Sequence, residues 1–171
     1  MFTKKKLITI AKKCLDKNAP GYLQAIYFDG EVKKAVATDG HKLFMSSDLY
    51  SEKLKGLLLN PDTLEVLDRE YPKWKTVLPK DEPKTIRALL VPKLTASDKA
   101  VEFGLIEQEA SFKLVPKAYL PNGEALAFFK GAALMPFSEV GFDKVEYRSP
   151  DRGLLLNGAG LEAFIMPCKK D

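Results

Sequence analysis

His41 is the only histidine among the 171 residues of this chain, and it lies two residues after Asp39 in the stretch AVATDGHKL, residues 35–43. A carboxylate beside an imidazole is part of what nucleophilic catalysis uses, but no serine or cysteine nucleophile is placed near them by sequence. Asp39-Gly40 is also a two-residue hairpin signal. Both central residues of a type I′ turn need positive φ, and Asp-Gly adopts it at low cost. That accounts for Asp39 without chemistry. A single histidine excludes most multi-histidine metal sites. Cys14 and Cys168 have no paired spacing, so neither a disulfide scaffold nor a structural zinc site is supported. There is no GxSxG, P-loop or GxGxxG string. The carboxylates Asp62, Glu65, Asp68, Glu70, Asp81 and Glu82 read as solvated charge at loop and helix ends. The residues predict no enzyme, no cofactor and no metal.

Binding chemistry has better support. Lys5, Lys6, Lys12, Lys13 and Lys17 share one side of an amphipathic stretch, which is either a solvated outer face or a surface that tracks phosphates. The chain carries 27 Lys and Arg against 23 Asp and Glu, a formal charge of +4, which permits nucleic-acid contact without demanding it. His41, Lys42 and Leu43 follow a turn at the rim of a sheet, and Met166, Pro167 and Cys168 end the last strand. The plain reading is a strand start and a C-terminal edge. An exposed Leu–Met–Pro cluster also suits a groove for a short apolar peptide.

These residues need elements to position them. Residues 5–17 read as a helix starting near Thr3, with Leu7, Ile8, Ile10, Ala11, Cys14 and Leu15 on its apolar side and Asn18, Pro20 and Gly21 stopping it. Strands follow at 22–28, 32–38 and 41–48, separated by Asp29-Gly30 and Asp39-Gly40. The C-terminal third repeats that order. A helix is expected over 123–134 with Asn122 as N-cap, then strands at 140–148, 153–157 and 161–167. In between, 61–70 reads as a short helix with Pro61 in its first turn. Two prolines exclude regular helix from 71–80, where Trp74, Val77 and Leu78 are available to pack. Strands are expected at 85–91, 100–107 and 111–116. With 46% hydrophobic residues, a core for one ample domain or two small lobes is available. No apolar run reaches membrane-spanning length and no signal peptide is evident, so a cytoplasmic setting with no membrane association is expected.

Several segments together resemble one family. AVATDGHKL closely resembles a segment in the middle domain of the bacterial DNA polymerase III β subunit, the replicative sliding clamp. GYLQAIYFDG, 21–30, is similar to the strand and turn leading into it. YPKWKTVLP, 71–79, looks like the family's segment joining the middle and last domains. VPKAYLPNGEALAFFKG, 115–131, looks like the last domain's helix entry, and LEAFIMPCKK, 161–170, resembles the closing strand with its Met-Pro motif. These pieces keep the family's order over somewhat more than a third of the chain.

The resemblance implies an α+β fold of DNA-clamp-like repeats, each one helix plus a three- or four-stranded antiparallel sheet. A first lobe would span 1–79, including the linker 71–79, and a second 80–171. It implies a non-catalytic processivity factor for DNA replication, with the lysines of the first helix facing duplex DNA independently of sequence. It also implies a peptide pocket that recruits a polymerase or another replication or repair partner. That pocket would use Leu23, Thr38, Gly40, His41, Lys42 and Leu43, with Pro72 and Val77, and Phe164, Ile165, Met166, Pro167 and Cys168. Lys42 stands where the family usually has Arg, and Cys168 where it has a second Met. The family chain is about twice as long, with a first domain that this sequence lacks. A clamp-like protein that binds duplex DNA as a homo-oligomer is one expectation. A monomeric adaptor or decoy that binds clamp partners without encircling DNA is the other.

Overall fold

The structure is a computed structural model and describes residues 2–19 and 21–168; Pro20 and the tail 169–171 lie outside the described residues. The chain divides into two compact units, Met1–Lys80 with Gly160–Ala163, and Asp81–Ala159 with Phe164–Asp171. The fold is α+β, with two α-helices and twelve strands among the described residues.

The first unit begins with helix α1, Lys4–Lys13. Thr3 caps it, its hydroxyl accepting from the Lys6 amide, which satisfies one of the unpaired donors of the first turn. Leu7, Ile10, Ala11 and Cys14 are buried, at the i, i+3, i+4, i+7 spacing of an inward helical face. Ile8, expected on that side, is 38% exposed. The helix ends at Lys13 rather than 17, because Cys14 forms a C-cap whose amide bonds back to Ala11 while the Leu15 amide bonds to Lys12, closing the last turn with i→i−3 bonds.

Strands β1 (Ile26–Asp29), β2 (Lys34–Thr38) and β3 (Lys42–Ser46) form the expected antiparallel meander. Their first connection is four residues, 30–33, not two. Asp29 pairs with Lys34, and Lys33 takes the positive φ in place of Gly30. The sheet continues outward through β4 (Leu58–Leu59) and β5 (Val66–Leu67) in the order β5-β4-β1-β2-β3. Residues 61–70 are therefore turn and strand, not helix. The Asn60 side chain accepts from the amides of Asp62 and Thr63 and its carbonyl accepts from Leu64, making a tight turn that returns β5 onto β4. Gly160–Ala163 join this unit where Ser46 Oγ donates to the Gly160 carbonyl at 2.8 Å and Lys34 bonds Glu162 at 2.7 Å.

The second unit holds β6 (Thr85–Leu90), β7 (Glu102–Gln108), β8 (Ser111–Pro116), β9 (Ala127–Lys130), β10 (Gly141–Tyr147) and β11 (Leu154–Gly158) in the order β11-β10-β6-β8-β7-β9. The β6–β8 pair is parallel, whereas β10–β11, β10–β6, β7–β8 and β7–β9 are antiparallel. Strand β12, Leu161–Ile165, closes the chain's regular structure. The helix expected over 123–134 is mostly absent. Ala127 and Phe129 are buried while Lys130 is exposed, a strand alternation that pairs β9 with β7. Only Gly131–Leu134 form a helical turn, α2. Asn122 sits at φ 57° in a 3₁₀ turn and is no N-cap. Phe129, Leu134, Phe137, Phe142, Leu154 and Leu156 fill this unit's core.

Candidate functional site

The turn between β2 and β3 carries five of the expected peptide-site residues. Asp39 Oδ1 accepts from the amides of His41 and Lys42 at 2.9 and 3.1 Å, and Oδ2 binds the Lys42 ammonium at 2.5 Å. Thr38 Oγ1 accepts from the Gly40 amide and donates to the Lys42 carbonyl. Of the Asp-Gly pair only Gly40 has positive φ, 92°. The turn is thus held by an aspartate side chain, not by the two left-handed residues of a type I′ hairpin. Burial would raise the Asp39 carboxyl, but the hydrogen bonds from Lys42 and His41 outweigh it and hold the group below the usual aspartate range. His41 is exposed, whereas Lys42 and Leu43 are 9% and 4% exposed. Asp39 is therefore committed to Lys42 and the backbone, and its bond to His41 is to the main-chain amide rather than to the imidazole. The buried Cys14 thiol close to this turn is pushed up by desolvation and stays neutral.

Pro72 and Val77 lie in the separate 71–79 segment, where Trp74–Val77 form a 3₁₀ turn. Val77 is exposed and Leu23 half-buried. Trp74 is buried, its indole donating to Asp29, and Tyr71 stacks on Tyr27 at 4.6 Å. These groups, with Glu31 and Lys75, line a cavity of 440 Å³. Sequence alone marks Asp29 only as a turn residue. It does accept from the Glu31 amide, but nothing local signals its second bond, 45 residues away.

In the second unit, Phe164 and Ile165 are buried and Met166 is 44% exposed. The Phe164 ring lies over Gly153, where an added Cβ would come within 2.4 Å of it. Pro167 and Cys168 are half-buried, and the Cys168 amide donates to the Phe128 carbonyl of β9 at 2.8 Å. Burial and the neighbouring Glu102 raise the Cys168 thiol, while a hydrogen bond from Lys117 lowers Glu102.

Along α1, Lys5, Lys6 and Lys13 are exposed and make no ion pair with a described residue. Lys12 bonds Asp62 at 2.6 Å, and Lys17 lies 3.9 Å from the same carboxylate. Among the described residues no three His, Cys, Asp or Glu side chains gather to hold a metal, and no helix is long and apolar enough to cross a membrane.

No protein-family model and no curated protein matches this chain. Solved structures do. A β sliding clamp from Caulobacter crescentus is 16% identical with a TM-score of 0.64, over 99% of this chain and 65% of its own. A sliding clamp from Bartonella birtlesii bound to griselimycin is 14% identical with a TM-score of 0.62, over 98% and 64%. The Helicobacter pylori β clamp bound to a DNA ligase peptide is 16% identical with a TM-score of 0.58, over 98% and 63%. The fold is that of bacterial DNA polymerase III β sliding clamps, and the chain spans about two thirds of their length.

Proposed function

We propose that this chain is a non-catalytic, sliding-clamp-like cytoplasmic protein. It binds duplex DNA independently of sequence and recruits a polymerase or another replication or repair protein through a short apolar motif. The observation that carries this reading is the agreement of its fold, along nearly its whole length, with solved β clamps, one of which holds a ligase peptide. Lys5, Lys6 and Lys13 are the phosphate ligands with least competition. Lys12 and Lys17 must first give up Asp62. The peptide-binding residues are drawn from Leu23, Thr38, Gly40, His41, Lys42, Leu43, Pro72 and Val77 in the first unit and Phe164–Cys168 in the second. Of these, His41, Pro72, Val77 and Met166 present exposed side chains. Solution mass with and without duplex DNA tests the proposal. A multimer large enough to enclose duplex supports the clamp reading.

A monomeric peptide-binding adaptor is the second reading. It is favoured by the Lys12–Asp62 pair, which neutralises part of the lysine face. A chain that stays monomeric, ignores DNA and binds clamp-motif peptides supports it.

A further inference from the structure

The β2–β3 turn holds a cation in a place where its charge is already answered. Lys42 is 9% exposed, and its ammonium is bound to Asp39 Oδ2 at 2.5 Å, while Asp39 Oδ1 accepts from the amides of His41 and Lys42. Thr38 ties the Lys42 carbonyl from the other side. Neither partner is idle, and the Asp39 side chain is itself only 15% exposed. A charge-assisted bond in such a setting is stronger than one in water, so a third group competes poorly for the ammonium. The remaining neighbour identified by charge, Cys14, is fully buried and neutral.

Resting on the proposed peptide site, we propose that Asp39 is its specificity-determining residue. By holding Lys42, it makes this wall of the site electrically neutral, so that a carboxylate on the motif gains nothing there. Without Asp39 the same wall would present a lysine and favour peptides with a carboxylate. Specificity of this kind is a difference of affinities, set as much by what is denied as by what is offered.

The test uses two probe peptides, Gln-Leu-Ser-Leu-Phe and Gln-Leu-Asp-Leu-Phe, titrated at low salt against the wild-type chain, Asp39→Asn and Asp39→Asn/Lys42→Met. Asparagine keeps an acceptor for the turn amides but releases the ammonium. Wild type is expected to bind the two peptides within about threefold of one another. Asp39→Asn is expected to shift the ratio about tenfold toward the acidic peptide, and the double variant to return it, which assigns the shift to Lys42. An unchanged ratio in a folded Asp39→Asn variant overturns the inference and leaves the peptide site standing. A wild-type preference of tenfold or more for the acidic peptide also overturns it, and needs no variant to fold. Binding of neither peptide to wild type overturns the peptide site, and the inference with it.

Discussion

Trp74 Nε1 donates to Asp29 Oδ2 at 2.9 Å, and each residue is 7% exposed. The bond joins the end of β1 to the linker segment. It matters because a buried carboxylate oxygen left without a donor costs more than the bond itself contributes. Lys75 lies 3.8 Å from the same carboxylate but is engaged with Glu31 at 2.9 Å, so it is a weak substitute. Trp74→Phe is expected to lose about 1–3 kcal/mol of stability, read as a lower midpoint of urea unfolding followed by circular dichroism. Asp29→Asn leaves one acceptor oxygen for two donors, the Trp74 indole and the Glu31 amide, and is expected to lose stability as well. Equal midpoints for wild type and Trp74→Phe would show that the bond carries no stability.

Gly131 starts α2 where the backbone crosses closely over residue 98. A Cβ there would lie 1.8 Å from the Asp98 carbonyl oxygen. That neighbour is backbone, fixed by a capping box with Thr95, and cannot swing aside. Gly131→Ala is expected to destabilise by more than the ~1–3 kcal/mol of an ordinary overpacked site. Gly123 is the control. Its φ is 65° but an added Cβ meets nothing, so Gly123→Ala should cost only the strain of a left-handed alanine, about 1 kcal/mol. Chemical denaturation of both variants separates a steric requirement from a conformational one. Equal losses would remove the distinction.

For the lysine face, the expected outcome is unequal contributions. Replacing Lys6 and Lys13 with Gln should weaken duplex binding and reduce the slope of log affinity against log salt by about 0.9 for each phosphate no longer neutralised. Asp62→Asn should do the opposite, because it releases Lys12 and Lys17. Fluorescence anisotropy over a salt series reads both effects. An unchanged slope in the double variant would rule out a phosphate-neutralising role for those two lysines.

The elements that could be read from sequence were those whose signals are local. Thr3 and the Leu7–Ile10–Ala11–Cys14 spacing marked α1, and the turn signals Asp29-Gly30 and Asp39-Gly40 marked the strands of the first meander. What failed was decided by distant partners. AFFK, 127–130, lies in a stretch with good helix formers, yet it becomes β9 because Phe129 pairs with Phe103 of β7. Val66-Leu67 becomes β5 because β4 offers an edge. The candidate site divides in the same way. The turn 38–43 was visible as a turn, since Asp-Gly announces one. That its aspartate would anchor Lys42 was not, because an Asx turn and a type I′ hairpin share the same sequence signal.

Asp81 predicts a pH dependence whose sign can be worked out. Arg152 grips its carboxylate through both terminal nitrogens, at 2.8 and 3.1 Å, and Arg148 Nε lies 3.3 Å away. The Arg152 hydrogen bond lowers the Asp81 carboxyl below its ordinary value. A carboxylate lowered on folding adds stability above the unfolded pKa, about 3.9, and that contribution is lost as pH falls through the native value. Melting temperatures of wild type and Asp81→Asn should therefore differ at pH 7, with wild type higher, and converge below about pH 4. A gap that persists into strong acid would mean that the variant acts through something other than this charge.

Met166 and Leu43 give the proposed peptide site a test that burial makes asymmetric. Both are apolar candidates, and an aspartate at either would oppose an apolar ligand. Leu43 is 4% exposed, in a strand whose five residues are all buried. Leu43→Asp places a carboxylate in the core and is expected to unfold the first unit, so a loss of binding there would say little about the ligand. Met166 is 44% exposed and follows β12 outside its ladder. Met166→Asp is expected to keep the wild-type unfolding midpoint. It should weaken Gln-Leu-Ser-Leu-Phe about tenfold or more, since about 1.4 kcal/mol of forgone apolar burial and carboxylate desolvation gives that factor. Calorimetric titration beside a urea melt reads the two quantities on the same sample. Wild-type affinity in a folded Met166→Asp variant would remove Met166 from the site, whereas a shifted melt would make it a structural residue instead.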